Sequence, residues 1–297
     1  MTARDEYMDS GVPARPGADV LDELAAGAAA QMGAENFPVA LRVLPSGPRA
    51  DLAAVYAFAR FVDDVGDRAP GSPEDRLKLL DAVESDLLNL LGDGARLAPV
   101  AELRPLVRDR GIPLEPFLDL VEANRIDQQT SAYETFADLL GYCRFSAAPV
   151  GRIVLHVAGA ATAQNVADSD AVCNALQVLE HCQDVGEDAR AGRVYLPAAE
   201  LRAAGIADDE LRGGHTSTAL RGVIAVQVAR AESLLYKGNS LVRRLSGWSR
   251  FAVAGYVAGG LATAASLRRA HYDVLPHHVS PSRAGTVTRA LRLVAPW

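Results

Sequence analysis

The stretch Ala54-Val-Tyr-Ala-Phe-Ala-Arg-Phe-Val-Asp-Asp-Val-Gly-Asp67 decides the fold class of this chain. It predicts a helix that is apolar on most sides and ends in acidic residues. Asp63 and Asp67 stand four residues apart, so they share one helix face, roughly 6 Å apart along the axis. Charges on an otherwise buried helix need partners or a metal ion. The alternative interpretation is a solvated acidic helix end whose charges form local ion pairs.

A second acidic cluster, Asp184-Val-Gly-Glu-Asp188, follows much further along the chain and is also predicted to be helical. Four polar side chains, spaced three or four residues apart, form one stripe along this helix. They are Gln177, Glu180, Asp184 and Asp188. His181 lies beside the stripe and is predicted to point off it, as a satisfied histidine and not as a ligand. Two carboxylate faces opposed across a cavity suit several Mg²⁺ ions, which in turn bind phosphate oxygens.

An arginine and a tyrosine precede the first acidic pair. Arg60 lies one turn before Asp63 and Asp64, where its guanidinium is placed to contact a phosphate held on the neighbouring turn. Tyr56 lies one turn further back. Together, the two clusters predict an enzyme that removes diphosphate from an apolar substrate.

Composition narrows the range of partners. The chain has 297 residues, of which 49% are hydrophobic, with a net charge of −7 and a pI near 5.4. This balance argues against nucleic acid held by a basic surface. The three cysteines form no CxxC pair, which is typical of a reducing compartment. Residues 1–17 are polar, lack the apolar core of a signal peptide and are predicted to be a disordered lead-in, so a cytoplasmic location is expected.

One uncharged stretch is a candidate membrane segment. Residues 251–267 carry no charge over 17 positions, which is at the short end for a span, and they are mostly alanine and glycine. A buried helix within a helical protein is therefore the favoured interpretation. Peripheral contact with the inner face of the membrane, for release of a lipid product, stays open at this stage, and so does the oligomeric state.

Helix signals dominate the rest of the chain. Ser72-Pro-Glu-Asp75 combines a capping serine, a proline at the first helical position and acids in the first turn. No run combines strict alternation with enrichment in β-branched or aromatic residues, so no sheet is predicted. No linker is long enough to separate domains. The expectation is one all-α domain over residues 18–297.

These motifs resemble the squalene/phytoene synthase family. Its two acidic signatures are similar to Asp63-Asp-x-x-Asp67 and to the run from Gln177 to Pro197, which includes Gly192-Arg-x-Tyr-Leu-Pro197. The stretch from Tyr142 to Arg152 is similar to the central helix of the family. Two further stretches resemble the bacterial hopanoid-pathway subgroup called HpnC, or hydroxysqualene synthase: Glu35-Asn-Phe-Pro-Val-Ala40 and Tyr272-Asp-Val-Leu275. The resemblance covers roughly residues 34–280.

The resemblance implies an isoprenoid synthase fold, in which helices surround a central cavity. It implies Mg²⁺ as the cofactor, with the ligands Asp63, Asp67, Asp184 and Asp188. It also implies that the substrate diphosphate is held by Tyr56, Arg60, Gln177 and Arg193. Tyr56 and Arg60 would also act in catalysis, and Tyr142 would lie near the cationic centre. For the subgroup, the implied reaction removes diphosphate from presqualene diphosphate and adds water to give hydroxysqualene.

Two positions depart from the pattern of the family. Glu180 stands where the family usually has asparagine, and it is predicted to face the cavity and supply a metal ligand in place of that asparagine. Pro276-His-His278 stands where relatives often carry arginines, so a phosphate contact from this tail is not implied. Small residues are predicted to leave room for isoprenoid chains, with close helix packing as the alternative: Ala57, Ser146, Ala147, Ala148, Gly151 and residues 251–266.

Other functions stay open at this stage. Within the enzyme class, the alternatives are presqualene diphosphate synthase, reductive squalene synthase and phytoene synthase. A reductive enzyme needs NADPH, and the chain has no Gly-x-Gly-x-x-Gly fingerprint after a strand. From a different class, the alternative is a non-catalytic lipid-binding or assembly protein of the same fold. Both aspartate pairs are intact, which argues against that alternative.

Overall fold

A computed structural model describes residues 17–32, 44–92, 94–281 and 283–295. The predicted disordered lead-in, apart from Gly17, and the stretch Glu35-Asn-Phe-Pro-Val-Ala40 lie outside the described residues. Within them the chain forms helices and no strand, and the only β pairing is an isolated bridge between Ala132 and Val194. The prediction of an all-α fold is confirmed.

The described helices are, in chain order, α1 Ala18–Met32, α2 Ser46–Arg68, α3 Pro73–Leu88, α4 Ala98–Ala101, α5 Arg104–Arg108, α6 Glu115–Gln129, α7 Phe136–Ser146, α8 Ala148–Val157, α9 Ala163–Gln183, α10 Val185–Arg190, α11 Ala198–Ala203, α12 Asp208–Leu211, α13 Thr218–Arg244, α14 Gly247–Arg269 and α15 Arg283–Val294.

Local capping fixes where several helices begin. The Ser72 side chain accepts from the Asp75 backbone N–H, and the Asp75 side chain accepts from the Ser72 backbone N–H, with Pro73 at the first helical position. Thr135 and Asp138 form the same reciprocal box at the start of α7. Such a cap typically stabilises a helix by about 1 kcal/mol. The predicted helix start at Ser72 is confirmed.

Two apolar cores lie side by side, and each holds one acidic motif. The first core includes Phe58 and Phe61 of α2, both fully buried, and Phe117 of α6, whose ring meets Phe58 edge to face at 5.7 Å between centroids. The second core surrounds α9, which packs against α8, α13 and α14. Helix α6 packs against α2 of the first core and against α7 of the second. The acidic motifs therefore meet where the two cores adjoin.

The uncharged stretch 251–267 lies within α14. Its inward face is buried, with Val253, Ala254, Val257 and Ala258 in the interior. The interpretation of this stretch as a buried helix is confirmed. Among the residues that the structure describes, no helix combines the length and apolar character needed to cross a membrane.

Candidate active site

Asp63 projects from α2 towards α6. Its Oδ1 accepts a hydrogen bond from Nδ2 of Asn124 at 3.1 Å, and Asn124 itself is buried. Solvent reaches the Asp63 side chain, but the surrounding protein removes part of its hydration. This partial burial, together with the charge of Asp67, raises the pKa of Asp63 to about 6, although the Asn124 hydrogen bond opposes the rise. Asp63 therefore carries a negative charge that its neighbours only partly compensate.

Gly66 allows α2 and α6 to approach closely beside this contact. A Cβ atom at position 66 would lie 2.2 Å from Oδ1 of Asn124. The Gly66 carbonyl also accepts a hydrogen bond from Nε2 of Gln128 at 3.0 Å. Any larger residue at position 66 must displace the side chain that orients Asp63.

Gly66→Ala is expected to lower the free energy of unfolding by about 1–3 kcal/mol, because it overpacks a buried contact. Gly222→Ala on α13 is the matched control, since a Cβ atom there meets nothing within 4 Å and alanine favours a helix interior. Adding Asn124→Ala to Gly66→Ala should restore part of the lost stability, because it removes the clashing amide. Urea unfolding of the four proteins measures this, and equal stability of Gly66→Ala and Gly222→Ala would contradict the prediction.

Asp64 serves a different purpose from its neighbour. It is 3% exposed, and its Oδ1 lies 3.4 Å from Nε of Arg60 and 3.3 Å from Nη1 of Arg68. Asp64 therefore forms local ion pairs, as the alternative interpretation of this acidic cluster expected. The pairing also fixes the guanidinium of Arg60 on the acidic face of α2. Tyr56, half-buried, lies one turn before it.

The second acidic motif spans a junction between two helices. Helix α9 ends at Gln183, and Asp184 separates it from the short helix α10. The backbone N–H of Asp184 donates to the Glu180 carbonyl at 3.0 Å, and that of Asp188 donates to the Asp184 carbonyl at 2.8 Å. These bonds keep the helical repeat across the junction, so the two acids stay one turn apart.

The polar stripe of this motif divides between two environments. Gln177 and Glu180 line an apolar cavity of about 250 Å³. Glu180 and Asp184 line a second cavity of about 390 Å³. Asp188 instead faces a small space beside His181 and Arg193. Glu180 thus lies on a cavity wall, and burial together with the charges of Asp184 and Asp188 raises its pKa, although His181 opposes this.

The prediction that His181 points off the stripe is wrong. Its Nε2 lies 3.3 Å from Nε2 of Gln177, and its Nδ1 lies 3.6 Å from Oδ2 of Asp188. The ring is buried and stacks on Tyr195 at 3.6 Å between centroids. Because His181 is four residues after Gln177 and seven before Asp188, and the helical repeat continues across Asp184, the imidazole lies between these two members of the stripe and contacts both.

An ion pair joins the two acidic motifs. Nη2 of Arg193, from the second motif, lies 2.5 Å from Oδ1 of Asp67, from the first. Burial alone would lower the pKa of Arg193, but the hydrogen bond with Asp67 reverses this and leaves the pKa raised. The guanidinium is therefore a fixed positive charge between the two carboxylate groups.

Asp127 is a member of this site that sequence reasoning missed. It lies on α6, where its Oδ2 accepts a hydrogen bond from the hydroxyl of Tyr142 at 2.8 Å. The hydroxyl of Tyr195 lies 3.5 Å from its Oδ1. Burial raises the pKa of Asp127, while Tyr142 and Arg193 oppose the rise. Burial also raises the pKa of Tyr142, so this tyrosine stays a neutral hydroxyl.

The small residues separate into cavity-lining and packing positions. Ser146 and Ala147 line the 250 Å³ cavity, and Gly255 and Gly259 of α14 line the second one. Ala57 and Ala148 are buried instead in the interior. A Cβ atom at Gly151 would lie 2.4 Å from Oγ of Ser169, so this glycine serves helix packing and the idea that it leaves room for substrate is wrong.

The tail after Tyr272-Asp-Val-Leu275 reaches the second acidic motif. Nδ1 of His278 lies 3.2 Å from Oδ1 of Asp184, and both residues line the 390 Å³ cavity. Burial and the neighbouring acids raise the pKa of Asp184, and His278 opposes this. An imidazole therefore contacts the acidic motif from the tail of this chain.

The oxygen-rich donor set fits Mg²⁺ shared with a substrate. No three of the histidine, cysteine, aspartate and glutamate side chains in the described residues are close enough to hold an ion by themselves. Mg²⁺ commonly binds to one or two carboxylates together with water and substrate phosphates. The raised pKa values of Asp63, Glu180 and Asp184 mark carboxylates that a divalent cation would stabilise.

Comparison with known proteins identifies the family of this chain. Residues 30–285 match the family described as squalene/phytoene synthase. The chain belongs to the squalene/phytoene synthase family. It is 39% identical to the hydroxysqualene synthase of Sinorhizobium fredii over 212 residues, 71% of each protein. It is 35% identical to the hydroxysqualene synthase of Zymomonas mobilis over 263 residues, 85% of this chain and 84% of that protein.

Solved structures of the squalene/phytoene synthase family have the same fold. The crystal structure of squalene synthase HpnC from Alicyclobacillus acidocaldarius superposes with a TM-score of 0.77 at 36% identity, over 86% of this chain and 96% of that one. A dehydrosqualene synthase solved with a ligand has a TM-score of 0.78 at 24% identity, over 94% and 98% of the two chains, and shows the fold alone. The expected isoprenoid synthase fold is confirmed, and the chain is an enzyme of squalene/phytoene-synthase type.

Proposed function

We propose that this enzyme ionises presqualene diphosphate with the help of Mg²⁺, releases diphosphate and captures water to give hydroxysqualene. The observation that carries this proposal is that Arg193 of the second acidic motif reaches Asp67 of the first, while Glu180 of the second motif lies on the wall of an apolar cavity. A charged site for diphosphate thereby adjoins an apolar space for isoprenoid chains. The names of the relatives at 35–39% identity support the same reaction.

Each part of the site has a role in the ionisation step. The carbon–oxygen bond to diphosphate breaks, and its electron pair leaves with the diphosphate. Mg²⁺, held by the aspartates of both motifs, would supply positive charge to the departing oxygens. Arg60 and Arg193 provide fixed guanidinium groups for the same charge, and their planar forks suit phosphate oxygens. Tyr56 and Gln177 complete the set of side chains that hold the substrate.

The water-capture step needs a group that accepts the proton lost by the added water. Water adds its oxygen to the carbocation and must then lose one proton. The Tyr142 hydroxyl donates a hydrogen bond to Asp127, and its oxygen keeps lone pairs that would accept a hydrogen bond from the captured water. Asp127, whose pKa is raised by burial, can receive the proton through this hydroxyl. Apolar walls elsewhere delay water capture until the carbocation has rearranged.

Product analysis tests the proposed reaction. The enzyme is incubated with presqualene diphosphate and, separately, with farnesyl diphosphate, with and without NADPH, and the products are identified by mass spectrometry. Hydroxysqualene from presqualene diphosphate without NADPH is the expected result. Squalene formed only with NADPH, or phytoene or presqualene diphosphate as the end product, would assign the chain to another reaction of the family. No product from any substrate would favour a non-catalytic protein.

Glu180 provides a test of the metal ligands. We expect Glu180→Asn to retain activity, since an amide oxygen can take the place of the carboxylate on the cavity wall. Glu180→Leu should raise the Mg²⁺ concentration needed for half-maximal turnover by about tenfold, equivalent to ~1.4 kcal/mol for one lost ligand. Glu187→Leu on α10 is the matched control, because Glu187 is an exposed acid of the same motif. Unchanged Mg²⁺ dependence in Glu180→Leu would rule out ligation by this residue.

A further inference from the structure

Four aromatic rings pack together beside the second acidic motif. Tyr195 stacks on the His181 imidazole at 3.6 Å between centroids, on Tyr142 at 5.8 Å and on Tyr133 at 5.9 Å. The rings of Tyr133 and Tyr142 are 5.2 Å apart. All four side chains are buried. We call these four residues the aromatic cluster, and Tyr195 is the member that contacts the other three.

Backbone hydrogen bonds fix two tyrosines of the aromatic cluster relative to each other. The N–H of Val194 donates to the Ser131 carbonyl at 2.7 Å, and the N–H of Ala198 donates to the Tyr133 carbonyl at 2.9 Å. These bonds lie on either side of Tyr195 in the sequence. The segments that carry Tyr133 and Tyr195 are therefore joined independently of their rings.

His181 joins the aromatic cluster to the polar stripe of α9. Nε2 of Gln177 lies 3.3 Å from Nε2 of His181. Because an amide nitrogen only donates, Nε2 of His181 accepts this hydrogen bond and the ring proton is on Nδ1. Nδ1 lies 3.6 Å from Oδ2 of Asp188, so its N–H faces the carboxylate. Two members of the stripe thus set the orientation of the imidazole.

The aromatic cluster also reaches Asp127, the proton acceptor of the proposed reaction. The hydroxyl of Tyr142 donates to Oδ2 of Asp127 at 2.8 Å, and the hydroxyl of Tyr195 lies 3.5 Å from Oδ1. Both hydroxyls keep these positions only while their rings stay in place. The imidazole of His181 packs on the Tyr195 ring, and close-packed rings in an interior resist rotation.

We propose that His181 is a positioning residue for water capture, which holds the Tyr195 ring and, through it, the pair formed by Tyr142 and Asp127. The inference rests on the proposed function, since it concerns one step of that reaction. In this step a lone pair of water forms the new carbon–oxygen bond, and the released proton passes through the Tyr142 hydroxyl to Asp127. His181 exchanges no proton in this role.

A misplaced acceptor would change the fate of the carbocation and not its formation. The carbon–oxygen bond to diphosphate still breaks, and its electron pair still leaves with the diphosphate. A carbocation that is not captured in the correct place loses a proton to solvent and gives a hydrocarbon, or takes water at another carbon and gives an isomeric alcohol. The amount of hydroxysqualene formed per diphosphate released therefore measures positioning.

Two substitutions separate the ring of His181 from its polar contacts. His181→Asn keeps a polar side chain but removes the ring that packs on Tyr195. His181→Phe keeps a ring and removes the contacts with Gln177 and Asp188. With presqualene diphosphate, the ratio of hydroxysqualene to released diphosphate should fall about tenfold in His181→Asn and stay within about twofold of the wild type in His181→Phe.

A spectrum of the substrate-free protein shows whether the aromatic cluster changes. Near-ultraviolet circular dichroism of the tyrosines should change in His181→Asn, while the far-ultraviolet spectrum should show that the helices persist. His156→Asn is the matched control, because His156 is a half-buried histidine of α8 that lines neither large cavity. A purely structural role of His181 would lower stability and total turnover without changing the product ratio.

The product ratio decides the inference. An unchanged ratio in His181→Asn, with or without a change in the tyrosine spectrum, would overturn it. So would an equal fall in His156→Asn, or an equal fall in His181→Phe, since the effect would then not come from the ring. If His181→Asn does not fold, His181→Leu, which fills the site without a flat ring, takes its place.

The wild type distinguishes failure of this inference from failure of the proposed function. If the wild type forms no hydroxysqualene, the proposed reaction is overturned, and the role of His181 in water capture with it. If the wild type and His181→Asn form hydroxysqualene in the same ratio to diphosphate, the proposed reaction stands and the inference about His181 alone is overturned.

Discussion

Asp63→Asn and Asp184→Asn should each lower turnover by about two to three orders of magnitude, the usual cost of removing one group that stabilises transition-state charge. Each substitution removes a carboxylate from one acidic motif and keeps the size of the side chain. Turnover at saturating Mg²⁺ measures the effect, and circular dichroism checks that the helices persist. Near-normal turnover in either variant would refute the assignment of both motifs to the metal.

The Asp63→Asn variant should at the same time be more resistant to heat at neutral pH in the absence of Mg²⁺. Partial burial and the charge of Asp67 raise the pKa of Asp63 to about 6, above its ordinary value of about 4. The folded protein therefore holds this proton more tightly than the unfolded chain does. The protonated Asp63 side chain therefore stabilises the folded protein. This stabilisation is complete below about pH 4 and is lost as the pH rises through about 6.

Melting temperatures of variant and wild type, compared between about pH 4 and 7, check this expectation. The advantage of the variant should grow as the pH rises, because asparagine never acquires the uncompensated charge. A difference in melting temperature that does not change with pH would show that Asp63 is not destabilised by its surroundings. Loss of turnover together with a gain in stability would separate the functional role of Asp63 from any role in folding.

Arg193→Gln should have the second large effect, a fall in turnover of about 10²- to 10³-fold. In the proposed reaction, Arg193 contributes a fixed positive charge for the leaving diphosphate, and its Nη2 lies 2.5 Å from Oδ1 of Asp67. Arg193→Lys should recover only part of the activity, because an ammonium group keeps the charge but lacks the planar fork. Arg202→Gln is the control, since Arg202 is an exposed arginine that pairs with Glu134 on the surface.

A double-variant cycle shows whether Arg193 acts through Asp67. If the two residues work as a unit, the double variant Asp67→Asn, Arg193→Gln should lose much less turnover than the product of the two single fold-losses. Fully multiplicative losses would mean that the ion pair between the motifs is incidental and that each residue binds the substrate independently. Retained turnover in Arg193→Gln would remove this residue from the site altogether.

The helices that carry the motifs could be predicted because their signals are local. The stretch 54–67 is apolar on most sides, and α2 buries those sides in the first core. Ser72 begins α3 because its capping groups lie within three residues of one another. The uncharged stretch 251–267 could be assigned to the interior because alanine and glycine permit close packing and contribute little to membrane insertion. In each case the deciding signal lies within one continuous stretch of the chain.

The members of the site that come from α6 could not be predicted, because their function depends on tertiary contacts. Asn124 and Asp127 are three residues apart and read as the polar face of an ordinary surface helix. Asn124 gains its role from Asp63 on α2, and Asp127 from Tyr142 on α7. The contacts of His181 follow from spacings of four residues to Gln177 and seven to Asp188, which place the imidazole on the stripe itself. The metal ligands themselves stay a prediction.

The ion pair between Arg193 and Asp67 has a consequence for folding kinetics. It joins positions that are 126 residues apart in the sequence. Contacts of such long range form only after the entropy of closing the intervening loop has been overcome. During synthesis, α2 therefore leaves the ribosome with Asp63 and Asp67 on one helix face and without this arginine. The proposed diphosphate site is completed late, when both cores have formed, and an unfinished chain lacks it.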